Sequence, residues 1–273
     1  MPYEIKLLDL LDIDVESSFL VLARGMGTPT RVKTWSYLIL GGDDPILVDT
    51  GAASPEIMGR LGMTAYQTPE QTLEAQLALH GVAMGDVRWI LHTHHHIDHA
   101  GQDDRFPKAT VITNRRELEY SASGIMGAQY PPEYVKHHID RLHEKDALRL
   151  LDLELSGPDE VLPGIVCEVA GGHTEGSMNI CVETAEGTAV LCGDIVYDVH
   201  NALVEPYHEV QLREPRTTGN QGPSKREDKA AIKRALNRGR FLLTGHDHPA
   251  RVEHGQVVAR LTGGAVPGPE VPV

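Results

Sequence analysis

The feature that most constrains this chain is a cluster of four histidines and one aspartate between residues 94 and 99. Alternate residues of an extended segment point the same way, so His94 and His96 can bind one metal ion. Asp98 and His99, where the chain turns, can face a second ion. The cluster directly follows a strand-like segment, Val87–His92, and the sequence therefore predicts a metal centre at a strand end.

Four other segments each carry a histidine or an aspartate within two residues of a glycine. A single histidine or aspartate at such a place is most often an ordinary hydrogen-bonded residue. The order of the segments along the chain is therefore what indicates a shared site. They are Leu47-Val48-Asp49-Thr50-Gly51, Gly172-His173-Thr174-Glu175-Gly176-Ser177, Cys192-Gly193-Asp194 and Thr244-Gly245-His246-Asp247.

These five segments, taken in order, resemble the motifs of the metallo-β-lactamase superfamily over roughly residues 35–250. The resemblance implies an α/β fold, namely an αββα sandwich of two mixed β-sheets flanked by helices. It also implies that Asp49 is structural and orients the metal loop, and that Asp194 bridges two ions. The implied metal ligands are His94, His96, Asp98, His99, His173, Asp194 and His246.

The same resemblance implies a cofactor and a mechanism. Two Zn²⁺ ions are expected, although iron, manganese or cobalt would bind the same ligands. A pair of divalent ions lowers the pKa of a bridging water, and the resulting hydroxide would attack a carbonyl. Asp98 is expected to act catalytically as well, by accepting a proton and passing it to the leaving group.

Departures from the family patterns narrow the substrate. Asp194 stands where many true β-lactamases of the superfamily use cysteine, and His96 stands where the flavodiiron branch uses glutamate. Tyr197, three residues past Asp194, resembles a tyrosine of the N-acyl homoserine lactonase branch that hydrogen-bonds the carbonyl region of the substrate. Tyr197 is therefore a second expected catalytic residue, and a lactone or related small ester is the expected substrate.

Two alternatives remain open from the sequence. The same site could hydrolyse an amide, a carbamate or a thioester. A mononuclear iron oxygenase resembling the persulfide dioxygenases shares the histidine-rich loop but holds one iron with two histidines and an aspartate. Metal content separates the oxygenase from the hydrolases, and a substrate panel separates the hydrolases from one another.

Composition limits the partners of the chain. Its formal net charge of −14 opposes binding to phosphate backbones, so nucleic acid is not an expected partner. No segment reaches the roughly 20 apolar residues that span a bilayer, so no membrane partner is expected.

Cys167, Cys181 and Cys192 lie in apolar strand-like runs, as expected for core thiols in a reducing cytoplasm. The apolar N-terminal strands are compatible with a homodimer.

The organisation of the chain predicts one domain over residues 1–262, with a disordered tail over 263–273. Strand-like segments at the N-terminus include residues 18–24. Residues 123–147 read as an insertion that could cap the site, and its histidines 137, 138 and 143 read as a solvated helix face. Four apolar or aromatic residues of this insertion are expected to line a pocket for an acyl chain or a ring: Ile125, Met126, Tyr130 and Tyr134.

Overall fold

The computed structural model describes residues 2–208, 214–220 and 222–273. The strands of this part of the chain are β1 (Glu4–Glu16), β2 (Pro29–Leu40), β3 (Ile46–Val48), β4 (Thr64–Tyr66), β5 (Trp89–Leu91), β6 (Thr110–Asn114), β7 (Leu148–Leu151), β8 (Asp159–Leu162), β9 (Ile165–Val169), β10 (Met178–Thr184), β11 (Gly187–Gly193), β12 (Phe241–Thr244), β13 (Ala250–Glu253), β14 (Gln256–Leu261), β15 (Ala265–Val266) and β16 (Glu270–Pro272). The α-helices are α1 (Ser17–Leu20), α2 (Leu73–Ala78), α3 (Arg115–Ala122), α4 (Pro132–Arg141), α5 (Leu153–Ser156), α6 (Glu205–His208) and α7 (Lys225–Arg238).

The strands form two mixed sheets. The first has the order β15-β1-β2-β3-β5-β6-β7. Strand β4 pairs with the C-terminal part of β1, at residues 12–14. Strands β3, β5, β6 and β7 run parallel to one another. The second has the order β16-β14-β13-β12-β11-β10-β9-β8, in which only β11 and β12 are parallel neighbours among the described strands. Helices flank both sheets, which confirms the predicted αββα sandwich.

The two-residue period of the strands explains the layers. Tyr37 and Ile39 of β2 lie in the core between the sheets, whereas Leu38 points outward into a cluster shared with α2. In the second sheet, Leu191 of β11 lies in the core between the sheets, whereas Val190 packs on the side of α7. Each sheet therefore buries apolar side chains on both faces, as a four-layer fold requires.

Two predictions about the chain differ from the structure. Residues 18–24 do not form a strand: the chain makes the short helix α1 and then turns, because buried Leu20 and Val21 pack into the core while Leu22 is half exposed. The tail 263–273 carries β15 and β16, which pair with β1 and β14. Val266 is fully buried in the core between the sheets, and this contact orders a segment whose composition suggested disorder.

None of the helices in the described ranges is both long and apolar enough to cross a membrane. The cysteines Cys167, Cys181 and Cys192 are buried and free.

Replacement of Ser224 tests the assignment of the start of α7. The Ser224 hydroxyl accepts a hydrogen bond from the backbone N–H of Glu227, so it caps the helix. Ser224→Ala should lower the free energy of unfolding by about 1 kcal/mol, measured by urea denaturation. Ser224→Asp keeps an acceptor at this position and should stay close to the wild-type value. Equal losses in both variants would contradict the capping role.

Candidate metal centre

Strand order brings the five predicted segments to one end of the sandwich. Asp49 follows β3 and the histidine loop follows β5, and these strands are parallel neighbours in the first sheet. Asp194 follows β11 and His246 follows β12, which are parallel neighbours in the second sheet. The loop that carries His173 precedes β10, the strand beside β11. The carboxyl ends of parallel neighbours meet at the same edge, and the start of β10 lies at that edge too because β10 is antiparallel to β11. All these side chains therefore lie close together.

Three histidines form the first group. His173 Nε2 lies 3.2 Å from His94 Nε2 and 2.9 Å from His96 Nδ1, and all three residues are buried. Three ring nitrogens therefore converge on one point, as a tetrahedral metal ion requires of its protein ligands.

A second group lies beside the first. His246 Nε2 is 3.4 Å from Asp98 Oδ2, and His99 Nε2 is 3.9 Å from Asp98 Oδ1. The Oδ2 atom of Asp194 lies between the groups, 3.2 Å from the Nε2 atoms of His99 and His246 and 3.8 Å from those of His94 and His173. The structure thus brings together all seven residues that the sequence singled out, with Asp194 at the centre.

Some polar atoms of these groups lack the hydrogen-bond partners that buried atoms normally have. Among the described residues, the buried atoms without a hydrogen-bond partner include His99 Nε2 and Asp194 Oδ1. Such atoms are costly unless something else satisfies them. Cations satisfy lone pairs that face one another, so the donor set fits metal ions.

The electrostatics of the two groups differ. Burial, together with the neighbouring imidazoles, holds the pKa of His94 and of His96 well below the usual value, which keeps these rings neutral and able to ligate. Burial also lowers the pKa of His99, but Asp194, Asp98 and Asp49 outweigh it and raise that pKa well above the usual value. Positive charge near His99 is therefore stabilised by the surrounding carboxylates, and a divalent cation can provide that charge.

Asp49 fixes the orientation of the histidine loop. Its carboxylate accepts hydrogen bonds from the backbone N–H of Thr93 at 2.9 Å and from the Thr93 hydroxyl at 2.7 Å. It also accepts one from His99 Nδ1 at 2.9 Å, which leaves His99 Nε2 facing the Asp194 carboxylate. In the same way, His246 Nδ1 donates to the carbonyl of Lys33 at 2.7 Å. These bonds select the ring nitrogens that are free to bind metal.

Glu117 of α3 supports the metal groups, and the sequence did not reveal it. Its buried carboxylate accepts hydrogen bonds from the backbone N–H of His95, the Tyr130 hydroxyl and the Thr174 hydroxyl, at 2.9, 2.8 and 2.6 Å. Burial raises the pKa of Glu117, although these bonds oppose the shift. One carboxylate thereby joins the loop of His94 and His96 to the loop of His173.

A cavity of about 330 Å³ opens onto the metal groups. One wall carries polar side chains: His96, Asp98, Gln129, Asp194, Tyr197, Asn220 and His246. The other wall is apolar: Ile13, Val15, Phe19, Leu20, Val32, Met58, Leu61, Met63 and Ile97. The volume lies within the range of small-molecule sites, and the contrast between the walls suits a ligand with one polar and one apolar end.

Tyr197 lies where the two walls meet. It stacks on Phe19 with ring centroids 5.4 Å apart, and its ring is 5.1 Å from that of His246. Burial, with the charges of Asp194 and Asp98, raises the pKa of Tyr197 well above its usual value, so the phenol keeps its proton. The side-chain amide of Asn220, which the sequence also did not reveal, lies 3.4 Å from the Tyr197 hydroxyl and 3.2 Å from His173 Nδ1.

The prediction that apolar and aromatic residues of the segment 123–147 line the substrate pocket is wrong. Gln129 is the member of this segment that lines the cavity, and its carbonyl accepts a hydrogen bond from the N–H of Ile97. Ile125 is 68% exposed. Tyr130 and Tyr134 are buried, but their hydroxyls bond to Glu117 and to the N–H of Ala53 instead of facing a ligand. The apolar wall comes from the N-terminal part of the chain.

One of the three histidines that were predicted to form a solvated helix face, His138, differs from that prediction. His143 is exposed, but His138 is 1% exposed and lies against His95 with ring centroids 4.2 Å apart. The carboxylate of Asp103 draws His138 inward, because a buried charge needs a hydrogen-bonding partner.

Comparisons with known proteins agree with this geometry. Residues 29–252 match the sequence family described as the Metallo-beta-lactamase superfamily. An N-acyl homoserine lactonase of Bacillus cereus is 28% identical over 186 residues, which cover 64% of this chain and 68% of that enzyme.

Two solved structures share the fold. One is an N-acyl homoserine lactone hydrolase with the product N-hexanoyl-L-homoserine at its catalytic metal centre; it aligns with a TM-score of 0.71 and 22% identity over 90% of this chain and 94% of the other. The other is AidC, a dizinc quorum-quenching lactonase, with a TM-score of 0.62 and 17% identity over 99% of this chain and 94% of the other.

Replacement of Glu117 tests its role as the link between the loops. Glu117→Ala leaves three buried donors without their acceptor and should lower the free energy of unfolding by about 3 kcal/mol, measured by urea denaturation. Glu117→Gln keeps one acceptor oxygen and should lose less. Glu119→Ala, on the exposed side of the same helix, is the matched control and should change stability by less than about 0.5 kcal/mol. Similar stabilities for Glu117→Ala and Glu119→Ala would contradict the role.

Proposed function

The chain belongs to the metallo-beta-lactamase superfamily, and on that premise we propose that it is a dinuclear metal-dependent hydrolase that opens the ring of an N-acyl homoserine lactone or a related lactone. The position of Asp194 Oδ2 between two groups of ligand-type side chains carries the proposal. A site for one ion would not need Asp98, His99 and His246 beside the three histidines of the first group. The names of the relatives support the choice of lactones.

We assign seven residues to the two ions. His94, His96 and His173 would hold the first ion, Asp98, His99 and His246 the second, and Asp194 both. Two bound divalent cations, with Zn²⁺ as our first choice, would supply a hydroxide nucleophile at neutral pH and polarise the carbonyl of the lactone.

Tyr197 and Asp98 would then act on the substrate directly. Tyr197 keeps its proton, so its hydroxyl can donate a hydrogen bond to the carbonyl oxygen of the lactone as negative charge develops there. Asp98 lines the same cavity, and its carboxylate can take the proton of the attacking water and return it to the ring oxygen when the ester C–O bond breaks. Asn220 would hold the Tyr197 hydroxyl in place.

The apolar wall would bind the acyl chain. Met58 and Leu61, in the turn Pro55–Leu61, line the cavity together with Ile13 and Val15 of β1, and Phe19 lies beside Tyr197. An acyl chain seated there removes apolar surface from water, which favours binding by about 0.8 kcal/mol for each buried methylene. A substrate with an amide-linked acyl chain and a lactone ring therefore matches both walls.

We further propose that residues 1–262 act as one catalytic domain and that the insertion 123–147 serves as its cap. Its contribution to the cavity is the single side chain of Gln129, so the cap would act mainly by holding the histidine loop through the N–H of Ile97.

The direct test is an assay of acid release on a panel of compounds. The metal-loaded protein should hydrolyse N-acyl homoserine lactones faster than matched amides, thioesters and β-lactams. Treatment with a chelator should abolish the activity, and added zinc should restore it. Faster hydrolysis of a thioester or an amide would contradict the lactone assignment while leaving the metal centre in place. Oxygen consumption with a persulfide, at one iron per chain, would contradict both.

Two variants separate metal binding from catalysis. Asp194→Ala should lose bound metal and activity together, because Asp194 faces both groups of ligands. Tyr197→Phe should keep wild-type metal content, but its kcat should fall on the order of 100-fold for loss of one oxyanion donor. Metal content can be measured by plasma mass spectrometry. Full activity in Asp194→Ala would contradict the bridging role, and metal loss in Tyr197→Phe would contradict the catalytic role.

The apolar wall predicts how KM depends on chain length. Each added methylene that is buried in the cavity should lower KM about fourfold. Leu61→Trp narrows the cavity and should weaken this dependence for long chains, with little change for short ones. Leu79→Trp, at an exposed position outside the cavity, is the control. A steep chain-length dependence that survives in Leu61→Trp would contradict this placement of the acyl chain.

A further inference from the structure

Three buried titratable residues form a cluster outside the seven residues of the metal groups. His92, which precedes the metal loop, and His138 of α4 both approach Asp103. Their Nε2 atoms each lie 2.8 Å from the same carboxylate oxygen, Asp103 Oδ2. The hydroxyl of Thr50 donates to the other oxygen at 2.9 Å. All three residues of the cluster are almost completely inaccessible to water.

The cluster continues to the metal centre. The other ring nitrogen of His92 lies 3.3 Å from Asp49 Oδ1, and Asp49 Oδ2 accepts the hydrogen bond from His99 Nδ1. A continuous series of side-chain contacts therefore runs from His138 through Asp103, His92 and Asp49 to His99. Every step lies in the buried interior, where polar contacts are strong and their loss is expensive.

The first member of the series lies on the cap segment. Tyr134, His138 and Arg141 lie on one face of α4, at the spacing of successive helical turns. The Tyr134 hydroxyl accepts a hydrogen bond from the N–H of Ala53, and Arg141 Nη2 donates to the carbonyl of Asp103 at 2.8 Å. Helix α4 is thus docked on the chain that leaves the metal loop, at the same place where His138 meets Asp103.

We propose that His138 is a positioning residue for the second metal ion: it fixes Asp103, which fixes His92 against Asp49, and Asp49 then holds the ring of His99. This inference rests on the proposed function, because His99 matters here as a ligand. It assigns to the cap segment a role in metal affinity that is separate from contact with the substrate. Loss of a residue that is hydrogen-bonded to a metal-bound histidine commonly lowers metal affinity by about 10–100-fold.

The three atoms that meet in the cluster favour hydrogen bonds over a third metal ion. His92 Nε2, His138 Nε2 and Asp103 Oδ2 all have partners at 2.8 Å, the usual length of a charge-assisted hydrogen bond. In the metal groups, by contrast, His99 Nε2 lacks a hydrogen-bond partner.

The test compares His138→Leu, which removes the donor, with His138→Gln, which keeps a side-chain N–H near the position of Nε2. Protein freed of metal is titrated with zinc alone against a chromophoric chelator, and both dissociation constants are measured. His138→Leu should weaken one zinc on the order of tenfold and leave the other within about twofold. Diffraction at the zinc absorption edge should show that the weakened ion is the one beside His99. His138→Gln should restore most of the affinity.

A matched control and a second variant complete the design. His143→Gln changes an exposed histidine just beyond α4 and should bind both zinc ions as the wild type does. Asp103→Asn should weaken the same ion as His138→Leu, because it breaks the series one step nearer to His99. If His138→Leu kept both affinities, or lost both equally without rescue by His138→Gln, the positioning role would be overturned.

Other outcomes separate this inference from the proposed function. Three zinc ions per wild-type chain, falling to two in His138→Leu, would replace the series of hydrogen bonds by a metal site. A wild-type chain that binds no second zinc would overturn the proposed function and this inference with it. Two zinc ions in the wild type with unchanged affinities in His138→Leu would overturn this inference alone.

Discussion

The buried carboxylate of Asp194 is the constraint on which the rest of this structure depends. Its Oδ2 lies within 3.8 Å of ring nitrogens from four histidines on three separate loops. A buried charge is costly unless it is paired, so the loops are stable in this arrangement only if positive charge is shared among them. The close packing of these side chains also restricts the backbone at Gly245. A Cβ atom there would lie 2.3 Å from Asp194 Oδ1 and 2.9 Å from His99 Cε1, so only glycine fits at this position.

The sandwich supplies the two properties that this constraint requires. Parallel neighbours in each sheet, β3 with β5 and β11 with β12, bring distant loops to one edge. Apolar side chains on both faces of the sheets hold these strands rigidly, and the carboxylates of Asp49 and Glu117 then hold the loops in place by hydrogen bonds. The N-terminal strand β1 and the turn Pro55–Leu61 add an apolar wall to the polar edge. The proposed selection of an acylated lactone follows from this combination.

The spacing of residues within one loop predicted the metal loop. The ligand roles of the other segments and the layered fold were predicted from the resemblance of five motifs, in order, to the metallo-β-lactamase superfamily. The sequence could not predict Glu117, whose partner Thr174 is 57 residues away, or Asn220, which is 47 residues from His173. His138 was predicted to be solvated because it lies in a charged helix, and Asp103, 35 residues earlier, is what buries it. In each case a pairing between distant segments determines the role, and a local pattern carries no signal of such a pairing.

In the proposed function, two metal ions act together in lactone hydrolysis. The most direct measurement is the rate of hydrolysis of an N-acyl homoserine lactone as zinc is added stepwise to protein freed of metal. Activity should keep rising until two equivalents of zinc are bound per chain, and Asp194→Ala should show no such rise. Full activity at one equivalent, or hydrolysis without any metal, would contradict the proposed function.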